Sequence, residues 1–264
     1  MPTLLSDLVA GALDLVFAPV CVACAGPIPT SVKERGVCMA CWAKCRPIPL
    51  PRCDRCWSPL RDLGSGENAT CALCSELRPA VRYVRSAYLQ QGPAKEIVHA
   101  LKYRGWHSLA QPMGRRLSMV ALPTEVDDEV RLVIPVPISG ARRRERGYNQ
   151  AERIAAELAR RKGWHCRPDL LVRGRSTGTQ TALHRSERRA NVLGAFQVGR
   201  ERQNDLHGQH VLIVDDVWTT GATALACADI LLAAGARAVS VLTFGRALPE
   251  LEQHARRVEL LILR

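Results

Sequence analysis

At 264 residues the chain exceeds the usual size of a single domain, and 47% hydrophobic content without a long polar or low-complexity tract excludes a largely disordered protein. The formal net charge of +12 points to an anionic partner. It is uneven: residues 81–264 hold 29 Lys and Arg against 18 Asp and Glu.

The opening stretch, MPTLLSDLVAGALDLVFAPV, has no basic leader region, is interrupted by Asp7 and Asp14, and is too short an apolar run to span a bilayer. No secretion signal or transmembrane segment is expected, which favours a cytoplasmic protein. Leu4, Leu5, Leu8, Ala12, Leu15 and Val16 recur at helical spacing. They predict a short amphipathic helix packed on its own protein, with a membrane surface or a partner as the alternative.

Nine of the eleven cysteines precede residue 75, and eight of them form C-x-x-C pairs: Cys21/Cys24, Cys38/Cys41, Cys53/Cys56 and Cys71/Cys74. Each such pair presents two thiolates to one ion and a second pair completes a tetrahedron, so the four pairs suit one or two structural zinc ions. Sequential and interleaved pairings both fit intervals of 13, 11 and 14 residues. Disulfides are disfavoured in a reducing compartment, and a redox motif would occur once rather than four times among prolines. Pro27, Pro29, Pro47, Pro49, Pro51, Pro59 and Gly64-Ser65-Gly66 leave little for a core, so this segment needs a metal staple. Cys45 is a spare that could replace a ligand, whereas Cys166 and Cys227 read as core residues. No histidine precedes residue 99, so a catalytic zinc is not expected. Residues 1–80 are therefore expected to form an N-terminal helix with a small zinc-stapled domain, and residues 81–264 a second domain.

From residue 81 strands and helices alternate. VRYVRSAY (81–88), RLVIPVP (131–137), AFQV (195–198), VLIVDD (211–216) and AVSVLTF (238–244) predict strands. Helices are expected over 92–105, 106–122, 149–163 and 221–236. The polar stretch 174–194 predicts a long mobile loop with room for one helical turn. The fold class is α/β: a mostly parallel sheet with flanking helices, whose ligands bind at the carboxyl ends of the strands.

VLIVDDVWTTGAT (211–223) is the most informative segment. Its apolar run predicts the central strand, so Asp215 and Asp216 emerge at the carboxyl end and Thr219–Thr223 turn into a helix. Free backbone N–H groups and the helix dipole favour an anion there, and Gly221 permits close approach. The loop suits a phosphate and the acids suit hydroxyls or a metal, together a sugar phosphate; strand and helix capping is the simpler alternative. A basic loop, with Arg142, Arg143, Arg144 and Arg146, follows the preceding strand and offers cations for a diphosphate, or a solvated face.

Four apolar residues, two acids and a T-T-G-small-T loop resemble the phosphoribosyl-pyrophosphate (PRPP) motif of type I phosphoribosyltransferases. The resemblance implies that Asp215 and Asp216 form the catalytic pair and hold the ribose 2′ and 3′ hydroxyls. Val217, Trp218, Thr219, Thr220, Gly221, Ala222 and Thr223 would complete the PRPP site, with Thr219–Thr223 on the 5′-phosphate. Arg142 and Arg146 would serve the diphosphate, with magnesium accompanying PRPP. Trp218 departs from the smaller residue common in that family, which suggests narrowed access or a stacking face. Gln180, Arg185, Arg188, Arg189 and Asn191 would belong to the family's flexible loop, which closes over the reacting centre. With the four C-x-x-C pairs, LKYRG (101–105), IPVP…RRRERGYNQA and TQTALHRSERRANVLGAF, the resemblance over residues 20–246 is to the ComF family, of ComFC and GntX types. It implies a double zinc-ribbon domain within residues 1–80, a phosphoribosyltransferase-like domain over 81–264, PRPP binding and a link to DNA uptake in natural competence. Lys102, Tyr103 and Arg104 are candidates for recognising an acceptor. Three readings stay open: a magnesium-dependent phosphoribosyltransferase, a PRPP-binding regulator without catalysis, and a single-stranded-DNA-binding accessory that meets other competence proteins. For the last, the basic charge and five tryptophans provide charge and stacking platforms, although the arginines could serve only PRPP and solubility.

Overall fold

The computed structural model describes residues 19–29, 36–60, 70–75, 77–174 and 195–248. The first helix anticipated from the sequence and the 174–194 loop, apart from Gly174, lie outside these residues. Among the described residues no helix is long and apolar enough to cross a membrane.

A five-stranded parallel sheet organises the molecule. Its strands, in chain order, are β1 (Val81–Leu89), β2 (Leu132–Pro135), β3 (His165–Cys166), β6 (His210–Trp218) and β7 (Ala238–Arg246), and they lie in the order β1-β7-β6-β2-β3. β6 and β7 read as near-continuous aliphatic runs because both faces of the sheet are covered. Alternation along the strands divides the core. Leu212, Val214, Leu242 and Phe244 pack with α3 (Gly92–Tyr103), α4 (Ala110–Leu117) and α7 (Gln150–Lys162) on one face. Val211, Ile213, Val239 and Val241 pack with α8 (Ala222–Ala233) on the other. A small antiparallel pair, β4 (Val172–Arg173) and β5 (Phe196–Gln197), brackets the 174–194 stretch.

Three local expectations change. The arginine-rich segment is a helix, α6 (Gly140–Arg146), rather than a loop: the Ser139 hydroxyl accepts the Arg142 N–H at 3.3 Å at its start, and Gly147 ends it at φ 78°. The helix expected over 106–122 is a 3₁₀ turn (His107–Leu109) followed by α4, because Pro112 lacks an N–H and belongs in a first turn. A short helix, α5 (Thr124–Glu129), fills what the sequence left unassigned.

The cysteine-rich segment, with α1 (Met39–Ala43) and α2 (Ala72–Ser75), lies against the sheet. β1 would otherwise be an exposed edge. The Val84 N–H donates to the Arg55 carbonyl at 2.9 Å and the Leu89 N–H to the Arg46 carbonyl at 2.8 Å, so the ribbons cover it. Their cysteines share the two cores of the sheet, Cys21 and Cys41 on the α3 side and Cys53, Cys56 and Cys74 on the α8 side.

Candidate functional site

The cysteines resolve into two groups, Cys21/Cys24/Cys38/Cys41 and Cys53/Cys56/Cys71/Cys74, with the sulfurs of each group all within 4.8 Å of one another. Neighbouring pairs along the chain therefore combine, and interleaving is excluded. Backbone donors aim at the sulfurs: the Cys38 N–H reaches Cys21 Sγ and the Cys71 N–H reaches Cys53 Sγ, each at 3.4 Å. Such bonds stabilise thiolates, and four sulfurs with no His or carboxylate make closed structural zinc sites. Cys45 joins neither group; its thiol faces the Cys41 carbonyl at 3.4 Å. Cys227 is buried in the core, and Cys166 is partly buried at the rim of the other core.

β6 carries the second site. At its carboxyl end the two acids diverge. Asp216 is 3% exposed and turns to the α3–α7 face, where both oxygens are engaged: Lys102 Nζ lies 2.6 Å from Oδ1 and Gln150 Nε2 donates to Oδ2 at 2.7 Å. The Asp215 carboxylate accepts the Asp216 N–H at 2.8 Å. Burial and the neighbouring Asp216 charge push the Asp215 carboxyl up to about 8, against the pull of that N–H and of Lys102.

Beyond the strand, Thr219 and Thr220 are exposed and Gly221 sits at φ 77°, a left-handed turn that suits glycine. The Ncap Gly221 carries no capping side chain, so apart from the Ala222 N–H the first N–H groups of α8 face the loop, as a phosphate requires. The Thr220 hydroxyl accepts only the Ala222 N–H, at 3.4 Å.

A cavity of about 550 Å³ joins these parts. Asp215, Asp216, Val217, Thr219 and Thr223 line one side, and Arg142 and Arg146 another. Gly221, Ala222 and Trp218 border a smaller adjoining hollow. Trp218 is 2% exposed and lies beneath the loop, so its ring offers no open stacking face. Arg143 is directed to Glu152 at 3.6 Å, and Arg104 to Glu96 at 3.7 Å, so neither is among the cavity's cations. Gln180, Arg185, Arg188, Arg189 and Asn191 lie outside the described residues.

Of the acceptor candidates Lys102, Tyr103 and Arg104, the first two line the cavity, which also gathers residues that local sequence patterns did not single out. Lys95, His99, Lys102 and Tyr103 come from α3, Gln150 from the first turn of α7, and Arg173 from β4. The His99 and Tyr103 rings meet at an interplanar angle of 47° with centroids 5.0 Å apart, and the Arg146 guanidinium lies 5.0 Å from the Tyr103 centroid. Only the i, i+4, i+8 spacing of Lys95, His99 and Tyr103 on α3 could have revealed a common face. Five cations against two carboxylates suit a ligand with several negative charges.

Comparison with known proteins agrees with this architecture. A double zinc ribbon family matches residues 12–77 and a phosphoribosyl transferase domain family matches residues 145–258. The chain is 29% identical over 227 residues to the DNA utilization protein YhgH of Escherichia coli O6:H1, covering 84% of this chain and 95% of the relative. It is 26% identical over 235 residues to competence protein F of Haemophilus influenzae (86% and 96% covered). With competence protein ComFC of Bacillus subtilis it shares 29% over 217 residues (80% and 83%). The chain thus joins a double zinc ribbon to a phosphoribosyl transferase domain, and over most of its length it is similar to competence and DNA utilization proteins.

Proposed function

We propose that the chain binds PRPP at the end of β6, and that it does so in the service of DNA uptake or DNA utilization, as the names of its relatives suggest. The observation that carries the first part is a single cavity of about 550 Å³ in which two adjacent acids, a helix N-terminus and five cations meet. Asp215 and Asp216 would hold the ribose hydroxyls, Thr219–Thr223 the 5′-phosphate, and Arg142 and Arg146 the diphosphate. Lys102 and Gln150 orient Asp216, leaving its remaining lone pairs for hydroxyl donors. Among the described residues no third carboxylate joins the two acids to make a metal site. Magnesium would therefore arrive with PRPP, where it supplies charge neutralisation at the departing diphosphate. The chain's own part is to fix the ribose, exclude water and stabilise positive charge developing at the anomeric carbon.

The reading requires that PRPP with magnesium raise the melting temperature and that Asp216→Asn weaken this response. No PRPP-dependent shift in the native chain would refute it. Transfer and sensing separate on product: pyrophosphate released with an acceptor indicates a phosphoribosyltransferase, and binding without turnover a regulator. The cations and rings on α3 and α6 favour, as a second reading, single-stranded DNA along the same groove. That reading requires an affinity that falls linearly on a log–log salt plot and weakens on charge reversal at Arg142 and Arg146.

A further inference from the structure

Two buried arginines flank the second cysteine site without a carboxylate. Arg85 is 5% exposed and Arg246 is 2% exposed, and among the described residues neither reaches an acidic side chain. Both hold the same knuckle turn. Arg85 donates to the Asp54 carbonyl at 2.7 Å and to the Arg55 carbonyl at 2.8 Å, and Arg246 donates to the carbonyl of Cys56. A divalent ion on four thiolates leaves about two negative charges. Two arginines supply two positive ones, so the pair makes sense as the counter-charge of a metal-loaded site.

Arg246 also faces the loop at the end of β6. Its guanidinium lies 5.5 Å from the centroid of Trp218, its register partner on the neighbouring strand. The Ala247 N–H donates to the Trp218 carbonyl at 2.8 Å. The Trp218 ring in turn underlies Gly221: a Cβ there would come within 2.3 Å of Trp218 Cζ2. Knuckle carbonyl, Arg246, Trp218 and Gly221 thus form one packed series. Among the described residues Cys21 and Cys41 of the first cysteine site pack instead in the core on the opposite face of the sheet from Trp218.

We propose that Arg246 and Trp218 are positioning residues through which metal loading of Cys53/Cys56/Cys71/Cys74 sets the geometry of the 219–223 loop. Loss of the metal frees the 53–56 turn, and Arg246 then loses its acceptor and counter-charge together. A buried unpaired cation must move toward water, and the indole beneath Gly221 loses its packing partner. Order in the loop therefore depends on the second site and is indifferent to the first. The use of PRPP as one readout rests on the proposed function, whereas loop order in the free protein does not.

The test uses the full chain with Cys71→Ser, Cys38→Ser, Arg246→Met and Arg246→Lys. Zinc content, amide hydrogen exchange over 217–225 without ligand, and PRPP affinity are measured for each. Cys71→Ser should lose one zinc, accelerate exchange over 217–225 and weaken PRPP binding. Cys38→Ser should also lose one zinc yet leave exchange and affinity as in the native chain. Arg246→Met should keep both zincs and still accelerate exchange, and Arg246→Lys should recover part of the protection because its ammonium can reach the Cys56 carbonyl. Equal loop effects from the two cysteine variants, or native exchange in Arg246→Met, would overturn the proposal. Should a cysteine variant not fold, the Arg246 pair decides it. Absence of PRPP binding in the native chain with this exchange pattern intact would sink the proposed function and leave the coupling standing.

Discussion

Asp215→Asn is expected to move stability and ligand binding in opposite directions. In the folded chain burial and the Asp216 charge raise the Asp215 carboxyl from the ordinary 3.8 to about 8. The folded protein thus keeps this proton where the unfolded chain has released it. Its stability contribution is complete below pH about 4 and is lost as pH rises toward about 8. Four units at 1.36 kcal/mol each set a ceiling of about 5 kcal/mol, and solvent in the cavity lowers this to about 2–4 kcal/mol. Asparagine has the same shape, accepts the Asp216 N–H now received at 2.8 Å, and does not titrate. Urea unfolding at pH 5 and pH 8.5 should show a small gain at the lower pH and about 2–4 kcal/mol at the higher, with the denaturant slope unchanged. At pH 8.5, where the Asp215 carboxyl is mostly ionised, PRPP affinity should fall by about 10- to 100-fold, because a hydrogen bond to a charged acceptor is worth about 1.5–3 kcal/mol. Equal gains at both pH values would refute the burial argument, and an unaltered PRPP affinity would remove Asp215 from the site.

Lys102→Met strips the cation from a buried carboxylate at 2.6 Å and should destabilise the fold by about 3 kcal/mol in urea unfolding, with partial recovery in Lys102→Arg. Gly221→Ala combines a left-handed φ of 77° with a collision against Trp218 and should destabilise by about 2–4 kcal/mol. Adding Trp218→Leu should recover the collision part alone, which thermal unfolding of the double variant would reveal. Metal analysis should find two zinc ions per chain, and Cys45→Ser should leave both in place, since its sulfur lies outside both groups.

The amino-acid sequence determined those features that depend on spacing along the chain. A run such as Val211–Val214, ending in two acids, can be buried on both faces only as an inner parallel strand, and β6 is the central strand of five. C-x-x-C spacing likewise dictates which sulfurs act in pairs, because two residues between cysteines make one tight turn. The tertiary structure decided what joins distant segments. It selected sequential combination of the cysteine pairs, since both pairings satisfy the same intervals. It brought Lys102, Gln150 and Arg173 to the acids from three elements whose local sequences carry no phosphate signature. It turned the Arg142–Arg146 run into a helix and placed Trp218 beneath Gly221 rather than at the cavity mouth. Periodicity tells which face of an element is apolar, but which other element covers that face depends on register across the sheet, and register is fixed only when the whole core closes.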